Sequence, residues 1–228
     1  ALPQPTGCPD TCGMNARTRI KICGLTREQD IDDAVEAGAD AIGFVLYEKS
    51  PRFVDVRRAT ELARRLPAFV TPVGLFVNAD AELIAEATAA MPQLLLQFHG
   101  DETPGACQAP GRPYLRAARM DAGFDLLKFA LSHPDAQAIL LDAHIDGYGG
   151  GGKVFDWSLI PRNVSRPLVL SGGLHAANVI EGILRVRPWA VDVSSGVEQA
   201  KGVKDALAMR RFCEQVREAD ARIAANEN

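Results

Sequence analysis

The sequence lacks the segments that mark membrane-spanning and secreted proteins. Its 228 residues contain no apolar run near the roughly 20 residues that a bilayer-crossing helix needs. The opening residues Ala-Leu-Pro-Gln-Pro contain neither a basic region nor an apolar core, so we expect no signal peptide there. These absences argue against a membrane partner.

The sequence also lacks an excess of positive charge. It has 25 Lys and Arg against 29 Asp and Glu, which gives a formal net charge of -4. Such a surface exerts no bulk attraction on nucleic acid, and an anionic ligand would need a local site. We therefore expect no nucleic-acid partner.

Cysteines are few, odd in number and scattered. The five are Cys8, Cys12, Cys23, Cys107 and Cys213. This pattern argues against a disulfide framework and for a protein of the reducing cytoplasm. Cys8 and Cys12 are spaced like half a metal site, but no His or Cys partner follows nearby, so we expect no metal. Residues 1–18 are predicted to form a disordered leader, within which Met14 is a candidate start.

Strand-like and helix-like segments alternate from Arg19 onwards, with no linker between them. The predicted strands cover residues 18–23, 41–46, 73–77, 94–97, 114–117, 138–142, 167–170 and 190–193. Eight strand–helix units predict a single (β/α)₈ barrel over 19–223, with a tail at 224–228. A doubly wound open sheet is less favoured, because it has fewer strands and a glycine-rich turn after the first.

Local signals predict some element boundaries. Thr26 and Gln29 have the spacing of a capping box, which predicts the start of the first helix. Pro72 has no backbone N–H, so the third strand is expected to begin after it. The helix over 81–91 is expected to be capped by Asp80 or Asn78.

Small residues follow the last two predicted strands. The turns are Ser171-Gly172-Gly173 and Ser194-Ser195-Gly196. Such residues let backbone N–H groups approach a ligand, and the loops after strands seven and eight of barrels often bind phosphate. Leu174-His175 is expected to start a helix that faces the phosphate. Two ordinary tight turns are the alternative, but two of them on adjacent strands favour phosphate.

Cys23 and Asp142 end the first and sixth predicted strands, which lie across a barrel mouth from each other. A thiol with an ordinary pKa of about 8.5 can act as a base once it is partly deprotonated. Lys21 shares a side of its strand with Cys23 and would favour the thiolate. A carboxyl group kept neutral can act as a general acid. Alternatively, Cys23 is a small buried apolar residue and Asp142 a helix cap or loop-fixing acid.

Three other side chains are candidates for substrate contacts. Arg52 can grip a carboxylate with two N–H groups, or it is a solvated loop charge. His99 is either a ligand contact or a structural histidine. Asp192, in the eighth strand, is a further candidate.

The loop 146–153 has five glycines in eight residues. It is expected to be either a mobile lid beside Asp142 or a plain connection. It is not a dinucleotide fingerprint, because no strand–glycine–helix unit with a downstream acid fits. It is not a P-loop, because Val154 follows Lys153 where Ser or Thr is required.

Taken together and in order, the strand ends resemble the phosphoribosylanthranilate isomerase family of tryptophan biosynthesis. The resemblance spans roughly Arg19 to Phe212. It lies in Lys21-Ile22-Cys23-Gly24, Gly43-Phe44-Val45 with Ser50-Pro51-Arg52, Val73-Gly74-Leu75-Phe76-Val77-Asn78, Leu96-Gln97-Phe98-His99-Gly100, Leu140-Leu141-Asp142, Gly152-Lys153-Val154-Phe155-Asp156-Trp157, Leu170-Ser171-Gly172-Gly173-Leu174 and Ala190-Val191-Asp192-Val193-Ser194-Ser195-Gly196-Val197-Glu198.

The resemblance implies an Amadori rearrangement of a phosphoribosyl anthranilate by general acid–base catalysis, without metal or cofactor. Cys23 would be the base, Asp142 the acid and Arg52 the anchor of the anthranilate carboxylate. Backbone groups of the two small-residue turns would hold the phosphate, namely those at Gly172, Gly173, Ser194, Ser195 and Gly196. The family includes monomers and homodimers. Arg116 stands where the family often has lysine, and the loop 146–153 is richer in glycine than usual.

Two alternatives remain beside this family. The related aminoaldose isomerase of histidine biosynthesis would call for an aspartate where Cys23 stands, and for stronger half-barrel repetition. A non-catalytic phosphosugar-binding barrel would need the phosphate turns but neither Cys23 nor Asp142.

Overall fold

Eight parallel strands close into a barrel in the order of the chain, with β8 pairing back to β1. The computed structural model describes residues 17–121, 123–143 and 155–226. The barrel strands are β1 Arg19–Cys23, β2 Ala41–Val45, β3 Thr71–Phe76, β4 Leu95–Phe98, β5 Tyr114–Met120, β6 Ala138–Ala143, β7 Leu168–Leu170 and β8 Ala190–Val193. The predicted (β/α)₈ barrel is confirmed.

Helices lie on the outside of the barrel, whereas the described part of the connection from β6 to β7 has only a 3₁₀ turn. They are α1 Glu28–Ala37, α2 Val56–Ala63, α3 Ala81–Ala90, α4 Pro104–Gln108, α5 Leu126–Ser132, α6 Val179–Val186 and α7 Ala206–Asn226. Short 3₁₀ turns cover Trp157–Leu159 and Ser195–Val197, and a small antiparallel pair joins β9 Glu198–Ala200 to β10 Val203–Lys204. None of the described helices is both long and apolar enough to cross a membrane.

A small apolar cluster inside the barrel shows which side chains face inwards. It consists of Val73, Leu115, Ala117, Ala138, Leu140, Val169 and Ala190, all from strands, whereas a larger cluster packs between strands and helices. Side chains alternate along a strand, so residues two positions further along face the same way. This alternation places Asp142 and Asp192 on the inner face, at the carboxyl ends of β6 and β8.

Pro72 lies within β3, so the prediction that the strand begins after it is wrong. Thr71 donates its amide to Asp40 O on the β2 side, and successive amides point to opposite neighbours. The nitrogen of Pro72 therefore faces β4. Strand β4 begins at Leu95, which pairs with Val73, so β4 has no residue opposite Pro72. The missing N–H costs no ladder hydrogen bond.

The predicted capping box of α1 is also wrong. The N-cap residue is Arg27, without a side-chain cap. Thr26 Oγ1 instead donates to Gly202 O at 2.7 Å, and Gln29 donates to Asp33. The Thr26 hydroxyl thus bonds to a carbonyl distant in the sequence and does not cap the helix. The cap of α3 is Asp80, which accepts from the Leu83 amide, as predicted.

Contacts with the barrel extend beyond both ends of the predicted range 19–223. Thr18 is buried and donates from its amide and its hydroxyl to the Asp220 carboxylate, and Arg17 pairs with Asp40. Helix α7 continues to Asn226, past the expected boundary at 223. Cys8, Cys12 and the glycine-rich loop 146–153 lie outside the described residues, and so do the roles predicted for them.

Candidate active site

Cys23 is the last residue of β1 and lies buried at the mouth of the barrel, only 4% exposed. It pairs in register with Gly43 of β2, where an added Cβ would lie 2.6 Å from the Cys23 sulfur. Ser194 Oγ donates to Cys23 O at 2.9 Å and links the end of β8 to β1. Gly43 therefore provides the room that the thiol occupies.

The pKa of the Cys23 thiol reflects opposing effects. Burial raises the pKa above its ordinary value, because it disfavours the thiolate. The ammonium of Lys21 lowers the pKa, while the charge of Asp192 raises it. Lys21 thus favours the thiolate as the sequence analysis expected, but burial outweighs it and the pKa stays raised.

The ammonium of Lys21 is paired with a carboxylate inside the barrel. Its Nζ lies 2.8 Å from Asp192 Oδ1, and both side chains are almost fully buried. Ser171 Oγ, at the end of β7, donates to Asp192 Oδ2 at 3.3 Å. Lys21 and Asp192 therefore form a buried ion pair on the inner face, one step further into the barrel than Cys23.

Asp142 lies on the inner face of β6, with its side chain 14% exposed. Its Oδ1 accepts from the Ala143 amide at 2.9 Å, and its Oδ2 lies 3.0 Å from His99 Nε2. The backbone of Gly172 lies close to Asp142 and Ala143: a Cβ added to Gly172 would lie 2.9 Å from Asp142 Oδ1 and 2.5 Å from the Ala143 nitrogen. The carboxylate is held between two donors and a glycine turn.

The two small-residue turns meet at the mouth, as predicted. Gly172 and Gly173 have φ angles of +78° and +67°, a backbone region that favours glycine. An added Cβ on Gly196 would lie 1.9 Å from Leu174 O, so the turn after β8 packs directly on the turn after β7. Ser195 opens the short 3₁₀ turn that follows β8.

The expected helix start at Leu174-His175 is wrong. Helix α6 begins at Val179, after Asn178. The Asn178 side chain accepts from the His175 amide and donates to Gly173 O, so it closes a local turn where the helix was predicted. The side-chain bonds of Asn178 thus compete with helix formation over these residues.

Arg52 lies beside the mouth but is engaged by a partner that the sequence analysis did not assign. Its Nε and Nη2 donate to the two carboxylate oxygens of Glu198 at 2.7 and 2.8 Å. Lys204 Nζ also reaches Glu198 Oε1 at 2.8 Å and Ser194 O at 3.0 Å. Lys204 carries no local sequence signal, and only the fold brings its fully buried ammonium to the site.

Arg119 is a cation at the mouth that the sequence analysis missed, because it ended the fifth strand at Ala117. Arg119 pairs in register with Asp142. Its Nη1 contacts Asp101 at 3.2 Å and its Nη2 contacts His99 O at 3.4 Å. The two-residue period, continued past Ala117, was the signal that could have found it.

Arg116, the departure from the family pattern, points away from the mouth. It is buried and donates to Phe98 O and Gly100 O at 3.0 and 3.1 Å, and it pairs with Glu102 at 3.3 Å. Its charge therefore fixes the loop after β4 and is not an anion anchor at the mouth.

Metal ligands do not converge in the described parts of the chain. Over residues 17–121, 123–143 and 155–226, no group of three or more His, Cys, Asp or Glu is placed to hold a metal ion.

Comparison with known sequences identifies the family. A family model described as N-(5'phosphoribosyl)anthranilate (PRA) isomerase matches residues 20–215. The N-(5'-phosphoribosyl)anthranilate isomerase of Methylibium petroleiphilum is 73% identical over 211 residues, which cover 92% of this chain and 99% of the relative. The protein of that name from Leptothrix cholodnii is 73% identical over 207 residues, covering 91% and 94%.

Solved structures give the same family. The phosphoribosyl anthranilate isomerase of Thermotoga maritima has a TM-score of 0.82 at 40% identity, over 88% of this chain and 99% of that one. A complex of such an enzyme with reduced 1-(o-carboxyphenylamino)-1-deoxyribulose 5-phosphate has a TM-score of 0.79 at 38% identity, with the same coverage. A structure of monomers generated from the dimeric Thermotoga maritima enzyme has a TM-score of 0.77 at 38% identity, over 88% and 98%.

Proposed function

The chain belongs to the N-(5'-phosphoribosyl)anthranilate isomerase family, and we propose that Cys23 and Asp142 are the base and the acid of its reaction. The protein is an isomerase of tryptophan biosynthesis. Its substrate is N-(5-phosphoribosyl)anthranilate, and its product is 1-(2-carboxyphenylamino)-1-deoxyribulose 5-phosphate.

One observation supports the assignment most strongly. Cys23 ends β1 and Asp142 is the last residue but one of β6, both on the inner face, so that both side chains lie at the carboxyl-end mouth of one barrel. In barrels of this kind the catalytic residues come from the ends of several different strands. The two small-residue turns, to which the proposal assigns the phosphate, lie at the same mouth.

The first step is ring opening. Asp142 gives its proton to the ribose ring oxygen as the bond from that oxygen to C1′ breaks. The nitrogen lone pair forms the C1′–N double bond of a protonated Schiff base. Asp142 is left as a carboxylate, which its donors at Ala143 and His99 stabilise.

The second step is proton removal from carbon. The Cys23 thiolate takes the C2′ proton, the C–H electron pair forms a C1′–C2′ double bond, and the C–N π pair returns to nitrogen. The resulting enolamine loses its C2′ hydroxyl proton and gains a proton at C1′ to give the ketone. Cys23 ends protonated and Asp142 deprotonated, so between turnovers Cys23 releases its proton and Asp142 takes one up, with no net redox change.

Two anion anchors complete the proposal. The phosphate binds backbone N–H groups of the turns around Gly172, Gly173, Ser194, Ser195 and Gly196, which pack on each other at the mouth. The anthranilate carboxylate binds Arg52 through Nη1, the nitrogen that its two bonds to Glu198 do not use.

The finer predictions about partners and location belong to the same proposal. The partner is the small phosphoribosyl substrate, and neither nucleic acid nor a membrane takes part. The choice between monomer and homodimer stays open, since one similar structure derives from a dimeric enzyme. The cytoplasmic location rests on the odd, scattered cysteines, of which Cys23, Cys107 and Cys213 are free and buried.

The experiment follows the fluorescence of the phosphoribosyl anthranilate during turnover. With freshly prepared protein the fluorescence should disappear, and Cys23→Ala and Asp142→Ala should each lower kcat by about 10²- to 10⁴-fold with the fold intact. Cys107→Ala and Asp135→Ala make the same chemical changes elsewhere and should leave kcat near the wild-type value. Near-normal turnover in either Cys23→Ala or Asp142→Ala would overturn the acid–base assignment.

A further inference from the structure

We propose that His99 is a positioning residue for Asp142 and that Gln97 fixes the tautomer in which His99 does this. The neutral ring donates from Nε2 to Asp142 Oδ2, and so it orients the carboxyl group and stabilises the carboxylate that forms when the proton leaves. This inference rests on the proposed role of Asp142 as the general acid.

The geometry is a chain of three side chains on the inner face. Gln97 and His99 are two residues apart at the end of β4, so they point to the same side. Gln97 Nε2 lies 3.2 Å from His99 Nδ1, and His99 Nε2 lies 3.0 Å from Asp142 Oδ2. Gln97 and His99 are both buried.

The chemistry of the amide decides where the imidazole proton lies. An amide nitrogen donates hydrogen bonds and does not accept them. Gln97 Nε2 is therefore the donor, and His99 Nδ1 must accept. A neutral imidazole that accepts at Nδ1 carries its proton on Nε2, and Nε2 is the atom that faces Asp142. The ring therefore presents an N–H group to the carboxylate.

The opposite orientation of the amide is less favourable. Gln97 Oε1 is a buried atom without a hydrogen-bond partner among the residues that the structure describes. Turning the amide over would leave the NH₂ group, with its two hydrogens, in that position. A buried N–H group without a partner is rarer in proteins than a buried carbonyl without one. The observed orientation therefore keeps Nε2–H directed at Asp142.

The arrangement stabilises negative charge where it develops. Oδ1 of Asp142 accepts from the Ala143 amide and Oδ2 from His99, so each carboxylate oxygen has one fixed donor. Donors placed in advance at the site of a developing charge need no reorganisation during the reaction. The same two bonds fix the carboxyl group in one orientation across the mouth.

A purely structural role for His99 is less consistent with its surroundings. The loop after β4 is held by Arg116, which donates to Phe98 O and Gly100 O, and by Glu102, which accepts from the Gly100 amide. These bonds do not involve the His99 ring. The ring nitrogens of His99 are instead directed at Gln97 and Asp142.

The kinetic test compares two replacements of His99. His99→Leu removes the donor and should lower kcat about 10- to 100-fold with little change in KM, the loss expected for one hydrogen bond to a charged group made during the reaction. His99→Gln can place an amide N–H near the former Nε2 and should recover most of that loss. His133→Leu removes another buried histidine, on the far side of β5 from the mouth, and should keep the wild-type kcat.

The outcomes separate this inference from the proposed function. If Asp142→Ala is inactive while His99→Leu keeps the wild-type kcat, the inference fails and the proposed function stands. If His99→Leu lowers kcat and His99→Gln recovers nothing, the donor role also fails. Near-normal turnover of Asp142→Ala overturns the proposed function itself.

A second measurement reads the tautomer without any turnover. The ¹⁵N chemical shifts of His99, assigned by comparison with His99→Gln, should show a protonated Nε2 and an unprotonated Nδ1 at neutral pH. In Gln97→Met, which has no amide to donate, this preference should weaken. A proton on Nδ1 in the wild-type protein would overturn the role given to Gln97.

Discussion

Gly43 and Cys23 face each other across β2 and β1 so closely that a Cβ on Gly43 would lie 2.6 Å from the thiol sulfur. The sulfur occupies the volume of the missing side chain. The position of the proposed base is therefore set by a neighbour that has no side chain of its own.

Gly43→Ala should lower kcat by about 100-fold, because a displacement of a reacting group by roughly 1 Å has a cost of that size. Steady-state kinetics with the phosphoribosyl anthranilate measure it. Gly105→Ala, in α4, is the matched control, since an added Cβ there meets nothing within 4 Å. Equal kcat values for the two variants would contradict the packing argument.

Lys21→Met should raise the pKa of the Cys23 thiol further. Burial and the charge of Asp192 raise this pKa, whereas the ammonium of Lys21 lowers it. Removing the ammonium therefore removes an effect that lowers the pKa. The rate of alkylation of Cys23, followed by mass spectrometry of its peptide against pH, should shift to higher pH in the variant. Lys128→Met, which changes an exposed lysine on α5, should leave the profile in place. A shift to lower pH in Lys21→Met would contradict the prediction.

Glu198→Gln should lower the free energy of unfolding at neutral pH by roughly 3 to 5 kcal/mol, because the buried ammonium of Lys204 loses its charged partner. Burial opposes ionisation of Glu198, but its hydrogen bond from Arg52 and the charge of Lys204 outweigh burial and lower the pKa of its carboxyl group. Urea unfolding of both proteins measures the difference.

The same carboxylate predicts a dependence on pH. The pKa of Glu198 is lower in the folded than in the unfolded state, where it is about 4.3. The contribution of Glu198 to stability is therefore fully present above the unfolded pKa and is lost as the pH falls through the folded pKa. The stability difference between wild type and Glu198→Gln should therefore shrink as the pH falls through that range. Glu181→Gln, on the exposed face of α6, should show no such convergence.

Arg116→Met should destabilise the fold by about 3 to 5 kcal/mol, since it leaves Glu102 buried without its cation. Urea unfolding, read by circular dichroism, measures the loss. Arg57→Met removes an arginine whose ion pair with Glu61 is exposed, and it should leave the free energy of unfolding almost unchanged. A small effect of Arg116→Met would show that the ion pair with Glu102 is dispensable.

The fold was predictable because its signal is local and repeated. Each strand is a short apolar or alternating run bounded by turn residues, and eight such runs in one chain suffice for a closed barrel. The strand ends also placed Cys23, Asp142 and the two glycine turns at one mouth. The boundary errors at Pro72 and Thr26 arose where the neighbouring strand or a distant carbonyl decided the outcome.

The candidate site was only partly predictable because its charges are paired over long distances in the chain. Lys21 and Asp192 are 171 residues apart, and Arg52 and Glu198 are 146 apart. A single sequence gives no measure of such contacts. Glu198, Lys204 and Arg119 were therefore assigned no role, although each lies among the residues of the mouth.

The sequence by itself determined which side chains share a face, because the two-residue period of a strand is a property of the backbone. It put Lys21 beside Cys23. The tertiary structure decided what those neighbours do. Burial of Cys23 raises the pKa of its thiol despite Lys21, and closure of the barrel brings His99 within 3.0 Å of Asp142. Desolvation and charge pairing depend on what surrounds a group in space, and only the folded chain fixes that.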